Sequence, residues 1–412
     1  MKKIFTYTFS ILLLSFCGPQ LKAQNDSIKS NRILPADTGS KLNMDAIYNR
    51  PFLMSDKIPI AIGGYLEANS NYEQTDGASE GLTFQARRLT IFMSSTIAER
   101  IHFLSEIEFE DGTKEINIEF AAMDIEFHPL LNLRGGIVMN PIGAFNQNHD
   151  GPKWDFIDRP ISATTLIPST WSNVGFGMFG KYYVNRWTLG YEAYFTNGLN
   201  SNIISNSENR TSFAATKLNP NRFEDNPPGS PVFTGKIAIR NRKIGEMGIS
   251  YLTGVYNQWK VESQVVDTRR NASIFAIDFN TSLFKNKFHI TGEWVRCMVD
   301  VPETYTQAYG KSQSGAYTDF IYTFLQRKIG VWKNAKFQIG TRLEYVDYNE
   351  GKFKETGTKI YDQLWSIMPS LAFRPTGSTV LRLNYRYMET RDLLGNPAAH
   401  TGAIQCGFST YF

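Results

Sequence analysis

Ala403-Ile404-Gln405-Cys406-Gly407-Phe408-Ser409-Thr410-Tyr411-Phe412 is the stretch whose reading decides the fold. Ile404, Cys406, Phe408, Thr410 and Phe412 form one alternate set, mainly apolar. Gln405, Gly407, Ser409 and Tyr411 form the other. A period of two predicts a strand with one apolar and one polar face. An amphipathic strand with a final aromatic residue suits the closing strand of a transmembrane barrel, where the last strand pairs with the first and no edge remains. The alternative is the last strand of a soluble sandwich. On the barrel reading, Phe408, Tyr411 and Phe412 resemble the C-terminal closure signal read by the barrel-assembly machinery, which would then be a partner. Ile404, Phe408 and Phe412 then face lipid, and Cys406 is a lipid-side free thiol.

Working outward, residues 58–412 read as strand, break, strand. Ile101, Phe103, Ile107 and Phe109 oppose His102, Glu106, Glu108 and Glu110. Phe337, Ile339, Leu343 and Tyr345 oppose Lys336, Gln338, Arg342 and Glu344. One apolar face with charge opposite is what a wall between lipid and water requires, since Arg or Lys facing mid-bilayer costs roughly 2–4 kcal/mol. About sixteen strands are expected, with a bulge near Ala121 and Ala122, where the alternation slips. Short connections (98–100, 128–130, 184–186, 243–246, 285–287, 329–332, 375–377) alternate with mostly longer ones (74–81, 111–114, 140–173, 198–232, 258–270, 301–315, 349–360, 391–400). Sorting loop length to one end predicts an all-β transmembrane antiparallel barrel with short periplasmic turns and long outer loops.

Composition agrees. Aromatic residues make up 14% of the 412, enough for two interfacial girdles. Lys2 and Lys3, the apolar run Ile4 to Phe16, and Ala23 before Gln24 read as a signal peptide, 1–23. The alternative, a lipoprotein signal at Cys17, is opposed by Phe16, where a small residue belongs. Residues 24–57 read as a periplasmic extension, too short for the plug domain of a gated receptor. Of 43 basic residues, Lys2, Lys3 and Lys22 leave with the leader, so 40 basic face 39 acidic residues. No nucleic-acid partner is expected from such a balance. Cys297 and Cys406 are too few for a disulfide framework, and no Cys/His cluster has metal spacing, so neither metal nor cofactor is expected.

Two constellations are candidates for function. One is the long loop 140–173, carrying His149, Lys153 and Arg159 against Asp150, Asp155 and Asp158. The other is the set of inward-pointing basic residues Arg88, Arg134, Lys236, Arg240, Arg296, Arg342, Arg382 and Arg386. These would draw anions if free. They would form a wall of ion pairs if matched by Glu106, Glu108, Asp124, Glu126, Glu192, Asp278, Glu293 or Glu344.

The runs Leu82-Thr-Phe-Gln-Ala-Arg-Arg-Leu-Thr-Ile-Phe92, Glu106-Ile-Glu-Phe-Glu-Asp-Gly112, Leu131-Asn-Leu-Arg-Gly-Gly136 through Asp158-Arg-Pro160, Gly175-Phe-Gly-Met-Phe-Gly180 and Tyr191-Glu-Ala-Tyr-Phe-Thr-Asn-Gly198 resemble the phosphate-selective porin O and P family, in its Bacteroidetes form. The resemblance implies a sixteen-stranded outer-membrane porin, a homotrimer, passing phosphate, polyphosphate or other small anions. By similarity to sixteen-stranded porins, the third outer loop, 140–173, would fold into the lumen and narrow it. A near-neutral chain with many lumenal acids departs from that family's anion path. A general non-selective porin and a structural or surface-binding barrel, with 198–232 as its loop, are the alternatives. An enzyme is not expected: His102 and His289 point inward, His128, His149 and His400 lie in turns or loops, and no Ser stands beside a His at the outer rim.

Overall fold

A computed structural model describes Ile47, Arg50, residues 60–112 and residues 114–412. The predicted leader and all of the predicted extension except Ile47 and Arg50 lie outside the described residues.

The strands are β1 (Ile60–Thr75), β2 (Ala78–Ala98), β3 (Ile101–Glu110), β4 (Glu115–His128), β5 (Leu131–Met139), β6 (Ser172–Val184), β7 (Trp187–Thr196), β8 (Val232–Asn241), β9 (Gly245–Val255), β10 (Lys260–Val261), β11 (Gln264–Val265), β12 (Asn271–Leu283), β13 (Phe288–Val299), β14 (Ser312–Ile329), β15 (Trp332–Asp347), β16 (Gln363–Thr376), β17 (Thr379–Arg391) and β18 (Ala399–Tyr411). β10 and β11 make a small hairpin within an outer connection. The other sixteen form one closed antiparallel barrel, each pairing with its neighbours along the wall and β1 with β18. That seam runs from Tyr65 opposite Tyr411 to Thr75 opposite Thr401. Gly64 and Phe412 exchange both backbone hydrogen bonds beyond it. Closure satisfies every edge, which a sheet in lipid must do. Among the described residues no helix is long and apolar enough to cross a membrane; the crossing is made by strands.

The alternation read from the sequence becomes two faces. Ile404 and Phe412 are each 54% exposed on the lipid side, whereas Ser409 is fully buried on the inner side. Leu381, Leu383 and Tyr385 face out; Val380, Arg382 and Asn384 face in. Cys406 lies outside and Cys297 inside, both as free thiols.

Four expectations are corrected. Residues 74–81 are not a loop. β1 and β2 continue to a two-residue turn at Asp76 and Gly77, both with positive φ, the geometry that matches strand twist. The bulge lies at Glu119, not at Ala121 and Ala122: Glu106 pairs Phe120 and Ile107 pairs Ile118, so Glu119 has no partner in the register. Glu119 and Phe120 consequently both face in. Arg296 lies on the exposed outer face beside Glu350, at the rim, where an outward charge costs only about 0–1 kcal/mol. His400 belongs to β18, with its ring stacked on Tyr387.

The outer half of the lumen is not empty on every side. Ile142, Leu166, Ile167 and Trp171 of the loop after β5 pack with Leu199, Ile203 and Phe213 of the loop after β7. Their wall partners are Val232, Leu252, Ile274 and Val295. Each such side chain contributes roughly 1.5–3 kcal/mol on burial. This apolar pad anchors both loops against one arc of the barrel.

Candidate functional site: the inward loop and the arginines that hold it

The chain between β5 and β6 enters the barrel and touches its wall around much of the circumference. Gly143 passes so close to β13 that a Cβ there would lie 2.2 Å from a Glu293 carboxylate oxygen, and its φ is +68°. Only glycine suits both conditions. Glu293 accepts the backbone N–H of Ala144 at 2.6 Å. The loop then crosses to β18, where the Tyr411 hydroxyl donates to Asp150 at 2.6 Å. Beyond Asp158 it returns, with the Ile161 N–H bound to Glu344 at 2.8 Å, through a single helical turn, α1 (Ser162–Thr165). Phe145, Trp154 and Tyr317 pack in tilted and edge-to-face contacts between loop and wall.

An irregular backbone at membrane depth leaves carbonyls that need donors. Wall arginines supply them. Arg382 donates to the carbonyls of Phe156 at 2.7 Å and Gly151 at 3.3 Å, and to Glu67 at 2.9 Å. Arg342 donates to the Asp158 carbonyl at 2.7 Å while its fork holds Asp319 at 2.6 and 2.8 Å. Arg374 donates to the Pro152 carbonyl and to the Asp155 carboxylate, each at 2.7 Å. Arg87 and Gln405 each donate to the Asp158 carboxylate at 2.7 Å, and Arg386 stands 3.0 Å from it. A planar guanidinium with five donors can serve a carbonyl and a carboxylate at once, which a lysine does less well.

The other predicted site residues are matched by acids. Arg88 lies 3.2 Å from Glu67 and 3.0 Å from Glu110. Arg134 forks onto Asp124 at 2.7 and 2.9 Å and covers the Phe179 ring. Lys153 is 3.2 Å from Asp150, and Arg159 is 3.6 Å from Glu108. Lys236 sits 2.7 Å from Asp278 and donates to the Gly143 carbonyl at 2.7 Å. Arg240 is buried opposite Glu246 in the β8–β9 register. Of the closure residues, Phe408 and Phe412 face lipid, and Tyr411 faces in against Asp150.

The structure thus brings together Arg342, Arg382 and Arg386 with loop residues 150–159, and spreads Arg134, Lys236 and Arg240 along the far wall. Sequence reasoning missed Arg50, Arg87 and Arg374. Arg87 is turned inward by a bulge: Glu67 pairs Arg88, Ala68 pairs Ala86, and Arg87 is left over. Consecutive arginines between Ala86 and Leu89 were the available signal. Arg374 lies near a strand end, with Pro375 next to it, where the alternation gives little guidance. Ser282 and His289, cross-strand partners, lie 2.8 Å apart on the lumenal face near the periplasmic turn. That is the periplasmic end of the barrel, opposite the outer rim.

Against known proteins, no family model matches the chain. An uncharacterized protein of Aquifex aeolicus (strain VF5) is 31% identical over 208 residues, covering 48% of this chain and 45% of that protein. The match spans less than half the length of either. The anion-selective porin from Comamonas acidovorans superposes with a TM-score of 0.55 at 9% identity, over 86% of this chain and 99% of its own. The fold is that of outer-membrane porins. OmpF of Salmonella typhi (TM-score 0.52, 10% identity, 86% and 98% covered) and the outer membrane channel DcaP of Acinetobacter baumannii (0.51, 12%, 86% and 97%) share it. A closed barrel of this kind, with its apolar outer belt, belongs in the bacterial outer membrane.

Proposed function

We propose that this porin-like barrel is a diffusion channel for small hydrophilic solutes, with the loop between β5 and β6 setting its narrowest point. The observation that carries the reading is the course of that loop across the lumen, stapled to a charged inner wall by Arg342, Arg374, Arg382 and Arg386. A constriction lined by fixed charges and hydrogen-bonding groups sieves by size and polarity. Because the lumenal cations lie beside carboxylates or loop carbonyls, weak charge preference is the first reading.

Passage of phosphate, polyphosphate or other anions is the second. It is favoured by Arg87, Arg342, Arg374, Arg382 and Arg386 falling within one arc of the wall, from β15 round to β2, and by the resemblance to the phosphate-selective family. Assembly as a homotrimer, and recognition of Phe408 and Phe412 by the barrel-assembly machinery, belong to the same proposal.

Single-channel recording in planar bilayers under a potassium chloride gradient separates the readings. A reversal potential near that of bulk diffusion, without phosphate block, supports the first. An anion-directed reversal potential with block by millimolar phosphate supports the second. Absence of conductance in folded, inserted protein overturns both.

A further inference from the structure

We propose that the constriction contains a guanidinium-binding pocket, built from Asp150, Glu106, Phe92 and Phe120, whose resident occupant is the chain's own Arg50. Arg50 precedes β1 in sequence, yet its side chain is buried inside the barrel. Its Nε and one Nη donate to the two oxygens of Asp150 at 3.0 and 2.6 Å, a bidentate fork. The same Nη lies 2.8 Å from Glu106. The guanidinium carbon sits 3.8 Å from the centre of the Phe92 ring and 5.5 Å from that of Phe120. A carboxylate forked in the plane, a second carboxylate close by and an aromatic face over the group are what distinguish a guanidinium from other monovalent cations. An ammonium would gain the charge but not the fork or the stacking.

The pocket is made by the barrel and not by the segment that fills it. Phe92, Glu106 and Phe120 come from β2, β3 and β4. Asp150 is held from the opposite side of the seam by Tyr411 of β18. His149 completes the wall, its ring 3.3 Å from Glu106 and anchored to the Asn146 carbonyl at 2.8 Å. Glu106, His149 and Asp150 bring donor atoms within 4.8 Å of one another, a spacing that attracts a cation, and the guanidinium lies among them. Ile47 packs beside it on Leu104, Phe120 and Met139. The pocket therefore remains when the arginine side chain is removed, and a diffusible alkylguanidinium of the same shape can enter it.

Chemical rescue tests this without requiring conduction. Purified Arg50→Ala barrel is melted in detergent, followed by its heat-modifiable gel mobility, with methylguanidinium, methylammonium or sodium chloride at matched ionic strength. Arg50→Ala should melt lower than the wild type by on the order of 5 °C. Methylguanidinium should restore much of that shift, half-maximally at roughly 1–10 mM. Methylammonium and sodium should not, and the wild type should gain nothing. In Arg50→Ala/Asp150→Asn the rescue should vanish. Where Arg50→Ala refolds poorly, the yield of heat-modifiable barrel with each cation in the refolding buffer is the readout, with the same ranking. Equal rescue by methylammonium, rescue persisting in the double variant, or no rescue would overturn the proposal.

Discussion

Replacing Arg382 by alanine removes three donated hydrogen bonds: two to loop carbonyls, those of residues 151 and 156, and one to Glu67 of β1. Hydrogen bonds from a charged donor contribute roughly 1.5–3 kcal/mol each. Truncating one partner of a buried pair costs about 3–5 kcal/mol when the other is stranded. Glu67 is not stranded, because Arg88 stays 3.2 Å away. Lumenal water can also take up the freed carbonyls. For the two bonds to loop carbonyls the lower end applies, about 3 kcal/mol together, and it falls on loop docking because they join loop to wall. At about 1.4 kcal/mol per decade that is on the order of a 100-fold rise in loop opening. Hydrogen exchange in detergent reads it. The amides of Lys153, Trp154 and Ile157, hydrogen-bonded within the loop or to Asn384, should exchange about 100-fold faster, while that of Val266, bonded to the Trp259 carbonyl in the outer connection between β9 and β12, is unchanged. Single-channel current should become larger and noisier. Unchanged exchange at all three amides, with a weaker phosphate block, would refute the staple and favour a direct anion contact for Arg382.

Gly143→Ala places a methyl group on Glu293 at a positive φ, and should lower the melting temperature by several degrees, from about 2–3 kcal/mol of strain and a lost carboxylate contact. Cys406 should react with a thiol reagent in detergent micelles and Cys297 only after unfolding, read by mass spectrometry; early labelling of Cys297 would mean its inner face is wet. Glu303 in an outer loop accepts from Lys311 at 2.6 Å and Lys354 at 2.7 Å, and these lysines hold its pKa down at about 2. A depressed carboxylate gives a tether complete above the ordinary glutamate range and lost as pH falls towards 2. Exchange in residues 348–362 should therefore rise between about pH 4 and 2 and also in high salt, because the group is exposed.

How far the sequence could be read follows from what each feature depends on. Strand faces depend on neighbours two residues away, so Ile404 against Gln405, or Leu381 against Arg382, were legible from local alternation. Closure was legible because an amphipathic last strand needs a partner. The slip in β4 was visible, but its place was not. Glu119 could be recognised as the extra residue only against Glu106 and Ile107 across the ladder. The outer ends of β1 and β2 looked like a loop because they stand in water on both faces and carry no alternation, although Asp76-Gly77 is a strong hairpin signal. The inward course of the loop was expected from its length and from likeness to other barrels. The partners of the arginines were not legible, since they depend on register and height around a closed wall. Arg382 meets Glu67 only because β17 and β1 flank β18, and Arg50 meets Asp150 only through a fold-wide approach of distant segments.

The most direct test of the account is single-channel conductance of a variant in which residues 144–165 are replaced by a short Gly/Ser linker. The loop crosses the lumen and is held there by wall arginines, so its removal should raise conductance several-fold in barrels that still shift mobility on heating. A conductance equal to that of the wild type would mean that the loop does not set the narrowest point. Closed barrels in both proteins would contradict the channel itself.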